Sequence, residues 1–237
     1  MVAMGGVGVA SADDGEAKIR VAHASPDAPE VDVTLTNTDD GSISKTVTVD
    51  FEDVTEYLEV PAGDYDVEIP TAEFNTTVTL DADDYTAAAI GELSSEDGDG
   101  KEFTVDVFED KLGRLFDEDG RARIYHASPD AGEVDVAVAD ENDEPGTFLA
   151  EGLTFGNAGP NVEVGADTYP VAVYPAGSSE PVFGPVDVDI REGEMLTAFA
   201  GGYLTPDDDP TGEAFDLTLA VDSGAGGGGL VEQDTGY

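Results

Sequence analysis

The chain has 237 residues and carries 54 Asp and Glu against 9 Lys and Arg, a formal net charge of −45 at pH 7. That balance excludes nucleic acid and anionic lipid as partners, because both are held through clustered Lys and Arg. No cysteine is present, which also excludes disulfides and thiolate metal sites.

The acidic residues are spread along the whole chain rather than gathered in a tail. In dilute buffer their mutual repulsion opposes compaction. At molar salt the screening length shrinks to ~3 Å and most of that repulsion disappears. The expectation is a halophilic protein whose carboxylates are dressed by hydrated cations at high salt. The composition is not that of a disordered chain, since 40% of residues are hydrophobic and they recur in short alternating runs.

Residues 1–12 (MVAMGGVGVASA) are small, apolar and uncharged, and end in Ala10-Ser11-Ala12, an A-x-A cleavage pattern. They read as a signal-peptide remnant and predict a protein exported to the cell surface or beyond. No stretch reaches the ~18 apolar residues that a transmembrane helix needs.

An internal repeat organises the rest of the chain. Residues 20–33 (RVAHASPDAPEVDV) return as residues 123–136 (RIYHASPDAGEVDV), and only Val21/Ile124, Ala22/Tyr125 and Pro29/Gly132 differ. The offset of 103 residues between Arg20 and Arg123 is too long for a solenoid repeat of ~20–50 residues and fits a duplicated domain. The predicted organisation is a first domain over 13–115, a second over 119–222, and a flexible Gly-rich tail over 223–237. Each domain is expected to carry its own apolar faces and to fold alone.

Within each repeat the hydrophobic period is two. Val47, Val49 and Phe51 alternate with Thr48 and Asp50; Tyr65, Val67 and Ile69 alternate with Asp66 and Glu68. Val186, Val188 and Ile190, and later Phe215, Leu217 and Leu219, do the same in the second half. Such alternation predicts half-buried antiparallel strands whose acidic face meets solvent. Asp39-Asp40-Gly41, Pro61-Ala62-Gly63, Gly98-Asp99-Gly100 and Pro175-Ala176-Gly177 supply the turns. The fold class expected is all-β: two tandem immunoglobulin-like antiparallel β-sandwiches.

The duplicated His-Ala-Ser-Pro-Asp-Ala segment is the best candidate site: His23, Ser25, Pro26 and Asp27, and again His126, Ser128, Pro129 and Asp130. Ser-Pro-Asp suits a turn, because Pro presets φ and the flanking side chains can bond nearby backbone. The histidines, the only two in the chain, would tie the loop down through a ring hydrogen bond. The alternative is an exported hydrolase using His, Ser and Asp as a triad. Alternate side chains of one extended segment stand ~6.5–7 Å apart, whereas a nucleophile and its base need ~2.6–3.2 Å. Asp97-Gly98-Asp99-Gly100 and Asp117-Glu118-Asp119-Gly120 resemble pieces of calcium loops without completing one. No cofactor and no metal site is expected.

The motif resembles the signature of the domain of unknown function 4397 family. His23 to Val33 and Val60-Pro61-Ala62-Gly63-Asp64-Tyr65 match its pattern in the first repeat. His126 to Val136 match in the second, with Gly132 in place of proline and the later turn degraded to Gly165-Ala166-Asp167-Thr168-Tyr169. The resemblance implies β-sandwich modules on exported proteins and implies no activity. Together these readings predict an extracellular or cell-surface binding or structural module of a halophile. Its partner would be a surface polymer or another protein.

Overall fold

The computed structural model describes residues 15–39, 41–94, 101–110, 119–208 and 211–223. The leader over 1–12, nearly all of the Gly-rich tail, the Asp97–Gly100 run and the first half of Asp117–Gly120 lie outside the described residues.

The first repeat forms β1 (Glu16–His23), β2 (Val31–Asn37), β3 (Ser44–Val49), β4 (Leu58–Pro61), β5 (Gly63–Ile69), β6 (Phe74–Leu80), β7 (Asp84–Ile90) and β8 (Thr104–Glu109). They make two four-stranded sheets, ordered β4-β1-β7-β8 and β3-β2-β5-β6. The second repeat forms β9 (Asp119–His126), β10 (Val134–Ala139), β11 (Pro145–Leu153), β12 (Asn157–Ala158), β13 (Val162–Gly165), β14 (Asp167–Pro175), β15 (Phe183–Ile190), β16 (Met195–Gly201) and β17 (Asp216–Ser223). Its sheets run β12-β9-β16-β17, with β13 also on β9, and β11-β10-β14-β15. The protein is thus all-β and sandwich-like, with the same strand order twice. Pairing is antiparallel except at the centre of one sheet per repeat, where β1 pairs with β7 and β9 with β16 in parallel.

Alternation does what the sequence predicts on the outer sheets. Tyr65, Val67 and Ile69 are buried while Asp66 and Glu68 are exposed. In the first repeat Ile19, Val21, Val33, Leu35, Val67 and Leu80 meet between the sheets. In the second, Ile124, Val136, Val173, Val188, Leu196 and Leu217 do so. The tyrosines after the turns, Tyr65 and Tyr169, each donate to a carbonyl four residues back, Pro61 and Gly165, at 2.9 Å. The degraded second turn therefore keeps the tyrosine bond of the first.

On the outer sheet of the second repeat β10 has no exposed residue either, being covered by Tyr174 and Phe148, and four further strands depart from the expectation of a solvent-facing side. β1, β7, β9 and β16 are buried on both faces. Their second face looks onto the other repeat, where Ala22, Ala24, Val54, Ala88 and Ile90 pack with Tyr125, Ala127, Phe199 and Ala220. Tyr85-Thr86-Ala87-Ala88-Ala89-Ile90 and Met195-Leu196-Thr197-Ala198-Phe199-Ala200 carry no alternating acid for that reason, as befits strands covered on both sides. Apolar packing therefore fills the inside of each repeat and also the face between them.

Candidate functional site

Each HASPDA segment leaves the end of a central strand, β1 or β9, and turns toward β2 or β10. The histidine closes that turn. His23 Nε2 lies 3.1 Å from the carbonyl of Pro29, and His126 Nε2 lies 2.7 Å from that of Gly132, six residues on in both cases. A carbonyl can only accept, so Nε2 carries the proton in each ring. A backbone oxygen is all this contact asks of its partner, which explains why Gly132 can stand where Pro29 does. Phe51 and Phe155 pack edge-on against the two rings, at centroid distances of 6.1 and 6.4 Å. His23 and His126 are 1% and 0% exposed. Burial pushes both imidazoles below their ordinary pKa, so they are neutral at pH 7.

The aspartates fasten the turn to the loop after β7 or β16. Asp27 accepts the amides of Leu93 and Ser94, both at 2.8 Å, and the Ser94 hydroxyl at 2.6 Å. Asp130 accepts the amides of Leu204 and Thr205, both at 2.9 Å, and the Thr205 hydroxyl at 2.8 Å. Burial alone would raise the Asp130 carboxyl; these donors outweigh it and hold the pKa below the usual carboxylate value. Both loops begin on a glycine with positive φ, Gly91 at 84° and Gly202 at 76°. A Cβ there would stand 2.5 Å from the Glu102 carbonyl oxygen or 2.2 Å from that of Ala214, so only glycine lets the returning chain come so close.

The serines differ. Ser25 donates to the Gly91 carbonyl at 2.6 Å, and its amide reaches His23 Nδ1 at 3.4 Å. Ser128 donates instead to Asp130 at 3.1 Å, and His126 Nδ1 is buried without a partner. In neither copy does a serine hydroxyl bond a histidine nitrogen, and both serines are fully buried. Pro26 and Pro129 turn their carbonyls toward the other repeat. Thr211 Oγ1 donates to the Pro26 oxygen at 2.9 Å, and Lys101 Nζ donates to the Pro129 oxygen. Lys101 also sits over the Phe155 ring, 4.7 Å from its centroid. The motif therefore braces its own loop and meets the opposite repeat through the proline carbonyl and through Ala24 or Ala127.

Beside the motif lies a group of residues that motif reasoning missed. Arg20 on β1 donates through Nε to Thr86 of its own repeat at 2.8 Å. It then crosses to the other repeat, meeting the Val221 carbonyl through Nη1 at 3.0 Å and the Asp222 carboxylate through Nη2. Arg123 on β9 mirrors it, with Thr197 of its own repeat at 3.1 Å, the Glu109 carbonyl at 3.2 Å and the Asp110 carboxylate at 2.6 Å. The threonines complete the ring: Thr86 donates to Asp110 and Thr197 to Asp222, each at 2.7 Å. Both carboxylates are 0% exposed, and the arginines 2% and 6%. Arg20 faces the Tyr57 ring at 4.9 Å and Arg123 the Phe108 ring at 4.7 Å. Burial works against the Arg20 charge, but Asp222 and Asp110 together overcome it and hold its pKa above the ordinary value.

One signal for this group was in the sequence. Each copy of the fourteen-residue motif opens with arginine, in a chain holding nine basic residues altogether. The aspartates were not recognisable, being two among 54 acids. Among the described residues, no group of three or more His, Asp or Glu is arranged to hold a metal ion, and no helix is long and apolar enough to cross a membrane.

The geometry defines a class: a tandem pair of equivalent β-sandwich repeats, each braced by a His-Asp loop and joined through a reciprocal arginine–aspartate contact. The chain belongs to the family described as Domain of unknown function (DUF4397), whose model matches residues 17–137 and 120–225. No curated protein matches the chain. Among solved structures it is similar to the Bacillus anthracis TIE protein, at 13% identity and a TM-score of 0.26 over 79% of this chain; it spans 34% of that protein's length. It is also similar to the "Putative cell adhesion protein" of Parabacteroides distasonis ATCC 8503, at 12% identity and a TM-score of 0.25, covering 91% of this chain and 97% of that one.

Proposed function

We propose that this chain is a non-catalytic binding or structural module of a halophile, exported to the cell surface. In this reading the HASPDA segments are braces and the outer loops and faces make the contacts with a surface polymer or another protein. One observation carries the reading: in both repeats the side chains that could do chemistry are spent inside the fold. The histidine holds a carbonyl six residues on, and the aspartate holds two amides and a hydroxyl of a neighbouring loop. A general base needs an unprotonated ring nitrogen within reach of a substrate proton; Nδ1 of His23 is met by the Ser25 amide, and Nδ1 of His126, though unpartnered, lies in a ring that is 0% exposed.

Capture from native cell envelope at molar salt, with the full chain as bait, tests the binding role. An esterase and glycosidase screen run on the same preparation tests the absence of catalysis. Turnover that disappears in His23→Ala while the melting temperature stays at the parental value would overturn the proposal in favour of a hydrolase. Salt adaptation is tested separately by circular dichroism across a NaCl series. The unfolding midpoint should fall as salt drops from molar to millimolar, because exposed carboxylates then repel unscreened. A midpoint that is flat or rises in low salt would contradict it.

A further inference from the structure

The interface between the repeats has two edges related by the duplication, and they carry opposite charge. At one edge Lys101 of the first repeat reaches across to the second. Its Nζ donates to the Pro129 carbonyl and sits over the Phe155 ring, 4.7 Å from the centroid. Gly156, which follows that ring, brings no side chain. At the other edge the backbone is alike and the charges are reversed. Glu213 stands where Lys101 stands: the Lys101 carbonyl accepts the Glu92 amide and the Glu213 carbonyl the Tyr203 amide, each one residue after the equivalent glycines Gly91 and Gly202. Glu52 stands where Gly156 stands: their amides donate to the carbonyls of His23 and His126, both at 2.8 Å, and their φ angles are 68° and 71°. The Pro26 carbonyl, equivalent to that of Pro129, takes the neutral Thr211 hydroxyl and no ammonium.

This second edge opens into a groove of about 330 Å³, to which the first repeat contributes Glu52 and the second repeat the rest. Phe183, Phe215 and Val186 form its apolar side, with the two rings packed at a centroid distance of 5.0 Å, and Glu52, Glu213 and Asp216 form its acidic side. No Lys or Arg is among the described residues that line it. Burial, and then Asp216, Glu213 and Asp53, push the Glu52 carboxyl up to about 7, as happens when carboxylates crowd without a cation. An apolar wall beside carboxylates suits a side chain with a long apolar stem and a charged head, which is the build of lysine. A bare calcium ion would be satisfied by oxygen ligands alone, and among the described residues no three carboxylates are arranged to hold a metal ion. We propose, resting on the reading of this chain as a surface binding module, that the groove docks a lysine side chain of a partner protein. Its ammonium meets Glu52 and Glu213 and plays there the part that Lys101 plays at the opposite edge.

The test titrates the full chain in molar NaCl at pH 8 with a blocked peptide that holds one lysine between small apolar residues. The same peptide with norleucine in place of lysine is the control. Nuclear magnetic resonance follows the Phe183, Val186 and Phe215 signals. The lysine peptide should shift them saturably and bind at least about tenfold more tightly than the control, the worth of one charge-assisted bond. Equal binding of the two, or none, would overturn the proposal. Glu213→Lys supplies an ammonium from within the chain and should weaken the lysine peptide by at least about tenfold; binding at the parental level would overturn the proposal. Should that variant fail to fold, Glu213→Gln, a neutral change at an exposed position, should weaken the peptide in the same direction. Capture from native envelope separates the groove from the wider module role. A partner held equally by the parent and by Glu213→Lys would keep the module and reject the groove. A groove that binds the peptide while the envelope yields no partner would keep the groove and reject the module. Capture that survives digestion of the envelope with protease would point to an amino-bearing polymer and overturn the protein partner.

Discussion

The two repeats agree in the polar contacts that brace and join them and differ in the apolar side chains between them and on their outer sheets. On the shared side, the histidine brace, the aspartate clamp and the Arg-Thr-Asp ring appear in both copies with the same partners. On the outer sheet β3-β2-β5-β6 the first repeat shows hydroxyls bonded to one another and to acids: Thr34 to Thr46, Thr48 to Asp32, Thr77 to Asp66, Thr79 to Asp64. On β11-β10-β14-β15 the second repeat instead buries Tyr174 against Ala137, Ala139 and Ala172, with Phe148 beside them. An outer face needs only to keep its strands covered or wet. A buried polar group on the inner face must keep its partner, whereas the apolar side chains around it have changed in size between the copies.

The largest expected effect is therefore on the inner side. Arg123→Met would leave Asp110 and Asp222 buried with one guanidinium between them, at a cost of about 3–5 kcal/mol. Thr77→Val on the outer sheet should change stability by less than about 0.5 kcal/mol. Chemical denaturation of both variants at fixed molar salt measures the contrast; similar losses would mean that the inner face is not privileged. Replacing the charged ring by apolar side chains of matching volume should cost far less than breaking it, since desolvation already consumes most of the attraction.

The braces come next. His23→Ala and His126→Ala each remove a part-buried hydrogen bond and a buried ring packed against a phenylalanine, and should cost about 1–3 kcal/mol. The first should cost more, because His23 also accepts the Ser25 amide whereas His126 Nδ1 has no partner to lose. Asp27→Ala and Asp130→Ala should be milder, since their contacts lie at exposed loop positions where water can replace a lost acceptor. Thermal melts of the four variants rank them. An Asp27→Ala loss larger than that of His23→Ala would reverse the assignment of brace and clamp.

The smallest expected effect is on pH dependence, and it separates the copies again. Gly156 occupies its positive-φ turn without strain or charge, whereas Glu52 brings both. Burial, aided by Asp216, Glu213 and Asp53, pushes the Glu52 carboxyl up to about 7. A carboxyl raised in the folded state takes stability away as pH climbs from its unfolded value of 4.5 through about 7. The lowered histidines act oppositely: the unfolded chain binds their protons more readily, so stability falls as pH drops below their unfolded value of 6.5. Glu52→Gln should raise the melting temperature at pH 8, leave it unchanged near pH 4 and expose the histidine slope between. An unchanged melt at pH 8 would show that solvent already screens this carboxylate.

Much of this architecture was readable without coordinates because its cause is local. A period of two puts Tyr65, Val67 and Ile69 on one side of a strand wherever that strand lies, so the all-β class and the core residues of the outer sheets came from spacing. The duplicated fourteen residues defined the repeat and pointed to His23 and Asp27, because Ser-Pro-Asp turn chemistry is also local. What no spacing could reveal is which of 54 acids would be buried. Asp110 and Asp222 are distinguished only by their arginines, Arg123 lying 13 residues from Asp110 and Arg20 lying 202 from Asp222. Tertiary structure alone decided that β1, β7, β9 and β16 have no wet side, since a strand's second face is set by what packs there. It decided too that Tyr125 stacks on Phe108 of the other repeat, because complementarity belongs to two surfaces and is written in neither one alone.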